Sequence, residues 1–220
     1  YNTNSGGGKL ILDCVNTISS NLVISSIGMV SVSKIGNRGA IDSNIGKGDK
    51  IELTGPGSTL IYTGEGETTD RIIDFSNNVK LDQSGSGELI FSENLIFSSD
   101  AKTLTLTGSS ESAGELAGTI GSLTNTAALT KDGSGEWCLT STNSYTGITT
   151  VKDGTLTLCG TNGAVASTTS ITLSGGTLRI ANAAGANVTN RVNDSATITL
   201  QGGAIDFAHD GATATDYSET

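Results

Sequence analysis

Proline is almost missing from this chain, at one residue in 220, and histidine and tryptophan also occur once each. Aromatic residues make up 4% and charged residues 15%, so the Glu, Lys and Arg that fill ordinary helices are scarce. No stretch approaches the roughly 20 consecutive apolar residues of a membrane helix, and no basic segment followed by an apolar one opens the chain as a secretion signal would. Basic residues number 12 against 22 acidic, a net charge of −10. With no basic run among them, the phosphates of nucleic acid are disfavoured as partners. The first residue is Tyr1 instead of Met, which reads as a processed or excised piece whose leader or anchor would lie outside it. Cys14, Cys138 and Cys159 are odd in number and lack the short paired spacings of a zinc site or a disulfide scaffold.

What the chain does have is glycine, 30 residues of it, with Ser, Thr and Asn filling much of the remainder. Regular apolar stretches such as Leu10-Ile11-Leu12 and Leu104-Thr105-Leu106 exclude simple disorder. Internal repetition is plain. Leu81-Asp82-Gln83-Ser84-Gly85-Ser86-Gly87-Glu88-Leu89-Ile90-Phe91 aligns without a gap on the later Leu129-Thr130-Lys131-Asp132-Gly133-Ser134-Gly135-Glu136-Trp137-Cys138-Leu139. A shorter unit, Gly-small-apolar-x-apolar, begins at Gly154, Gly176 and Gly203. Through the second half strands thus recur about every 19 to 27 residues, which is a solenoid period.

Each unit leaves a turn residue and then alternates apolar with polar, as a strand with one buried face does. The same alternation marks Lys50-Ile51-Glu52-Leu53 and Ser170-Ile171-Thr172-Leu173. Leu89, Phe91, Trp137, Leu139, Leu156, Leu158, Leu178 and Ile180 are therefore expected to point inward. No segment keeps a helical period; residues 111–122 come nearest, but Gly114, Gly118 and Gly121 make them a loop or short strand. The fold class expected is all-β, a right-handed parallel β-helix, with an antiparallel sandwich as the alternative that spacing leaves open. One β-solenoid domain over 1–220, with its clearest repeats at 81–91 and 129–160, would make roughly nine coils and a rod on the order of 45 Å. The 81 and 129 units should lie two coils apart in one sheet.

Residues 129–160 closely resemble the passenger-associated transport repeat of bacterial autotransporters, approximately L-T-K-x-G-x-G-x-L-x-L-x-x-x-N-x-Y-x-G-x-T-x-V-x-x-G-x-L. The departures are chiefly Trp137 in place of Leu and Cys138 in place of a small polar residue. The resemblance implies a passenger domain of a Gram-negative bacterium, exported through the outer membrane by a C-terminal β-barrel outside this chain. It implies an extracellular structural or adhesive stalk that is not an enzyme, with host-surface, matrix, carbohydrate or neighbouring solenoid partners and no membrane insertion by this segment.

β-Helical polysaccharide lyases and hydrolases are the alternative reading, and they need convergent carboxylates with a basic partner. Asp13, Asp42, Asp49, Asp132 and Asp153 fall instead at turn positions, where Asp caps its own backbone. His209 follows the last evident strand with no nucleophile in a known motif, and reads as a surface loop residue. No tandem Gly-rich nonapeptide for calcium is present, so no catalytic residue, metal or cofactor is expected. Tyr62, Tyr145, Tyr217 and Trp137 could stack on sugars if exposed, although the parity of Trp137 turns it inward and Tyr145 suits a packed corner. Cys138 and Cys159 fall on adjacent coils but staggered by two positions. A straight-strand estimate puts their Cα atoms about 8 Å apart, beyond the roughly 7 Å a disulfide tolerates, so free outward thiols are expected.

Overall fold

A computed structural model describes residues 8–26, 28–99, 101–121, 126–182 and 188–209. Among them the regular structure is entirely β, wound as a parallel solenoid of twenty short strands. The first sheet stacks nine: β1 (Lys9–Leu12), β3 (Met29–Val32), β5 (Thr59–Tyr62), β8 (Val79–Gln83), β11 (Thr103–Thr107), β13 (Ala128–Lys131), β15 (Thr149–Val151), β17 (Ser170–Leu173) and β19 (Thr197–Leu200). The second holds four, all from the N-terminal half: β2 (Leu22–Ile24), β4 (Lys50–Leu53), β7 (Ile72–Phe75) and β10 (Ile96–Phe97). The third stacks seven: β6 (Glu67–Thr69), β9 (Leu89–Phe91), β12 (Gly114–Leu116), β14 (Glu136–Leu139), β16 (Thr155–Leu158), β18 (Thr177–Asn182) and β20 (Ala204–His209).

Every pairing is parallel, each strand bonded to its counterpart one coil away, so the antiparallel sandwich is excluded. Coil length is not constant: the step from Met29 to Thr59 is half as long again as the step from Lys9 to Met29. Nine stacked levels enclose eight steps of about 4.8 Å, or about 38 Å, a little short of the roughly 45 Å expected. Beyond β10 the second sheet gives way to isolated bridges, Leu95 with Ile120, Thr142 with Ala164 and Val165 with Val192.

The core is a set of ladders running along the axis. One column reads Leu10, Val30, Leu60, Leu81, Leu106, Lys131, Val151 and Leu173, and ends on the exposed Leu200. In the third sheet Phe91, Leu116, Leu139, Leu158 and Ile180 stack in register. In the second, Phe75 and Phe97 meet edge to face with ring centroids 4.2 Å apart. All eight residues expected to point inward are buried, and period-2 alternation accounts for each.

The 81 and 129 units do lie two coils apart in one sheet, with β11 between their strands. In the third sheet the gapless sequence alignment of the two units matches the stacking: Leu89 stacks on Gly114 and Gly114 on Trp137. In the first sheet it does not. Leu81 stacks over Lys131 through Leu106, and Leu129 over Val79 through Leu104. A shift of two keeps every inward residue inward. The earlier coil absorbs the difference at the corner, where the path from Leu81 to Leu89 is longer by two than that from Lys131 to Trp137.

Candidate functional site

The carboxylates do not converge. Asp132 and Asp153 each accept the N–H of the glycine that follows, at 3.0 and 2.8 Å, the turn role expected of them. Asp42 pairs with Lys34, Asp70 and Glu93 with Arg38, Asp74 with Lys50, and Glu136 and Asp206 with Arg179. Three of these pairs, Arg38–Asp70, Lys50–Asp74 and Arg179–Asp206, join neighbouring coils along the outer surface. Glu67 accepts the N–H groups of Ile35 and Gly36 at 2.6 and 2.7 Å. No cluster of three or more His, Cys, Asp or Glu suited to a metal occurs among the described residues.

Of the aromatic candidates, Tyr62, Tyr145 and Trp137 are buried, and Tyr217 lies outside the described residues. Trp137 donates its indole N–H to the Thr107 carbonyl at 2.9 Å. Tyr62 accepts the Gly66 N–H at 3.0 Å, and burial followed by the charge of Glu67 pushes its phenol up to about 12. Tyr145 fills a corner as expected: its hydroxyl meets Thr149 Oγ1 at 2.7 Å, which in turn meets Thr168 Oγ1 at 3.0 Å. No sugar-stacking platform forms from these three. His209 is not a loop residue but the last residue of β20, in register with Asn182.

The surface feature that repeats is a single column of threonines on the outward face of the first sheet. Thr105, Thr130, Thr150, Thr172 and Thr199 stand in unbroken register on five successive coils. Each is half-exposed, and none of the five hydroxyls is taken by another protein group among the described residues. On the third sheet and its adjoining corners, by contrast, Thr140 and Thr157 bond Glu115 and Glu136, and Ser141 the Ala117 carbonyl. The column thus offers five methyl and hydroxyl pairs about 4.8 Å apart on one sheet.

Beneath it the 129–158 segment is fastened unusually tightly. Lys131 occupies a position that is aliphatic on every other coil and is fully buried. Its stem fills the leucine place while Nζ bends into the corner, donating to the carbonyls of Gly133 at 2.6 Å, Asp153 at 3.2 Å and Asp132 at 3.4 Å. Asp153 belongs to the next coil, so the ammonium clamps two. Burial lowers this lysine to about 8, against the pull of the nearby Asp153, Asp132 and Glu136 charges. Gln83, its counterpart in the 81 unit, ties only its own corner and without charge: Nε2 donates to the Gly87 carbonyl at 2.6 Å and Oε1 accepts the Gly85 N–H at 3.2 Å.

Two further buried cations sit in corners. Arg71 donates to the carbonyls of Gly36, Asn37, Gly46 and Gly48, and Arg191 to Asn182 and to the carbonyls of Cys159, Gly160 and Gly163. Desolvation lowers the Arg71 pKa. Sequence reasoning did not find these cations, because a carbonyl cage drawn from separate turns leaves no local pattern.

The cysteines correct the expectation of free thiols. Cys138 and Cys159 form a disulfide with Cα atoms 6.2 Å apart, while Cys14 is free and exposed. The predicted register is correct, since Cys138 pairs with Thr157. What fails is the straight-strand extrapolation: β16 ends at Leu158, and the chain bends at Cys159 toward Cys138.

The Passenger-associated-transport-repeat family profile matches residues 129–158. The chain is also similar to the Adhesin BmaC autotransporter of Brucella suis biovar 1 (strain 1330), 35% identical over 150 residues. That alignment covers 64% of this chain but 4% of the relative. No solved structure matches. Residues 129–158, with their lysine clamp, inward tryptophan and packed tyrosine corner, are thus a passenger-associated transport repeat built into a parallel β-solenoid.

Proposed function

We propose that this chain is a non-catalytic, adhesive or stalk segment of an exported autotransporter passenger, displayed outside the cell and forming part of a longer solenoid. The observation that carries the reading is the transport repeat itself, which forms complete rungs of a continuous parallel stack and not a separate module. The relative is named an adhesin autotransporter, and the matched stretch is a small part of it. The alternative, a β-helical carbohydrate-active enzyme, draws no support from the carboxylates described above, which serve in turns or in scattered ion pairs.

The threonine column supplies a surface for adhesion. Single hydroxyl contacts are weak, but five at a fixed spacing on a stiff support can engage a polymeric host-surface or matrix ligand together, and multivalency then multiplies the affinity. The test displays the full-length protein on cells and measures binding to matrix-coated and glycan-coated surfaces. Replacing Thr130, Thr150 and Thr172 by Lys should abolish adhesion while leaving surface display, followed by antibody and external protease, unchanged. Adhesion unaffected by that triple substitution would remove the column from the proposal. Turnover of any polysaccharide, or retention inside the cell, would overturn the functional reading.

A further inference from the structure

The turn at 159–163 is where three consecutive coils are tied. On one side, Cys159 is bonded to Cys138 of the preceding coil and donates its N–H to the Leu139 carbonyl at 3.1 Å. On the other, Arg191 of the following coil places its guanidinium over the same turn, donating to the carbonyls of Gly160 and Gly163 at 2.6 Å each and of Cys159 at 3.4 Å. Arg191 is fully buried, and its Nε donates to Asn182 Oδ1 at 2.9 Å. The turn has little freedom to find another shape: a side chain at Gly163 would collide with the carbonyls of Leu139 and Cys159, at 2.1 and 2.3 Å, and Gly160 holds φ of +65°.

A buried guanidinium is stabilised only while its acceptors stay aimed at it. The carbonyls of Cys159, Gly160 and Gly163 belong to one short turn, and the end of that turn is fixed covalently to the coil below. Cys138 and Cys159 are half-buried and close to the surface, within reach of a small thiol.

We propose that the 159–163 turn is a redox-operated clasp, in which the Cys138–Cys159 disulfide holds the carbonyl cage that anchors Arg191 and so couples the coil of β16 to the coil that follows. Two small-molecule thiols reduce it. They supply two electrons and two protons, become one disulfide, and leave Cys138 and Cys159 as thiols. The oxidised clasp belongs to extracellular conditions and the reduced one to a thiol-rich compartment, so stiffness in this part of the solenoid follows the redox state of its surroundings.

Hydrogen–deuterium exchange on the whole chain, oxidised and after dithiothreitol, tests the clasp. Reduction should speed exchange at least tenfold at 159–163 and also at 188–193, while β8 and β11 stay unchanged. In R191Q, exchange at 188–193 should already be fast and no longer respond to reduction, while 159–163 still responds. Faster exchange confined to 159–163 would mean a local staple only, and an equal rise on every coil would mean general destabilisation. Either outcome overturns the proposal. Should R191Q not fold, the oxidised and reduced wild-type patterns decide between these outcomes.

Discussion

Lys131 makes the alkaline limb of the stability curve an assay of one buried side chain. Its pKa falls from 10.5 in the unfolded chain to about 8 in the folded one. Between those values the unfolded state binds more protons than the folded state, so the stability contributed by this group rises with pH. At about 1.4 kcal/mol per pKa unit the full swing is about 3 kcal/mol, of which about 2 kcal/mol is gained by pH 9.5. The measurement should stop there, because an unfolded tyrosine ionises near 10 while Tyr62 is held up to about 12, and that difference works in the opposite direction above pH 10. Urea unfolding followed by the fluorescence of Trp137, the single tryptophan, reports on the coil that Lys131 clamps, in a Cys14→Ser background to prevent thiol exchange. Lys131→Gln, the residue that stands at the matching corner as Gln83, should fold and lose the rise. Parallel pH profiles for the two proteins would refute the depressed pKa.

Gly114→Ala should cost about 1 to 3 kcal/mol by overpacking, since the new Cβ would lie 2.7 to 2.8 Å from three atoms of the Trp137 ring; adding Trp137→Leu should recover part of the loss in thermal melting. Leu156→Asp, at a fully buried position, should unfold the neighbouring coils, because an unpaired buried carboxylate costs several kcal/mol; an unchanged circular dichroism melt would contradict the inward ladder. Thr149→Val leaves the Tyr145 and Thr168 hydroxyls facing a methyl group and should cost about 1 to 3 kcal/mol in urea unfolding, whereas Thr149→Ser should stay near wild type. Loss of the Cys138–Cys159 loop in a Cys138→Ser, Cys159→Ser variant should cost roughly 3 kcal/mol by chain entropy, read as a lower melting temperature that equals that of the reduced wild type.

Strand parity was legible because a period of two survives every change of coil length. Leu156 and Leu158 are inward whatever the length of the coil that carries them. The transport repeat was legible for the same reason, with its glycines and Asn-x-Tyr-x-Gly corner marking where the chain turns. Corner geometry was not. The two-residue shift at Gln83 and the bend at Cys159 both lie where a strand stops, and an extrapolation along an ideal strand cannot see its end. Lys131 stood in a matched motif, yet its inward direction depends on carbonyls from two coils, and only stacking assembles them. Arg71 and Arg191 left no mark in the sequence pattern for the same reason. The abundance of Thr, Ser and Asn was plain in the composition, but the alignment of five threonines into one open column follows from register.

Gly114 and Trp137 belong to different coils, and only one of them lies in the segment that carries the repeat signature. The bulk that distinguishes this repeat from its 81–91 sister is thus compensated outside its own boundaries, on the rung below. Copying 129–158 to another place in the stack would set the indole against a side chain with no room for it, and deleting 129–158 would leave Gly114 beneath an unfilled space. Duplication or recombination of such passengers should therefore preserve junctions between coils more faithfully than the repeats themselves.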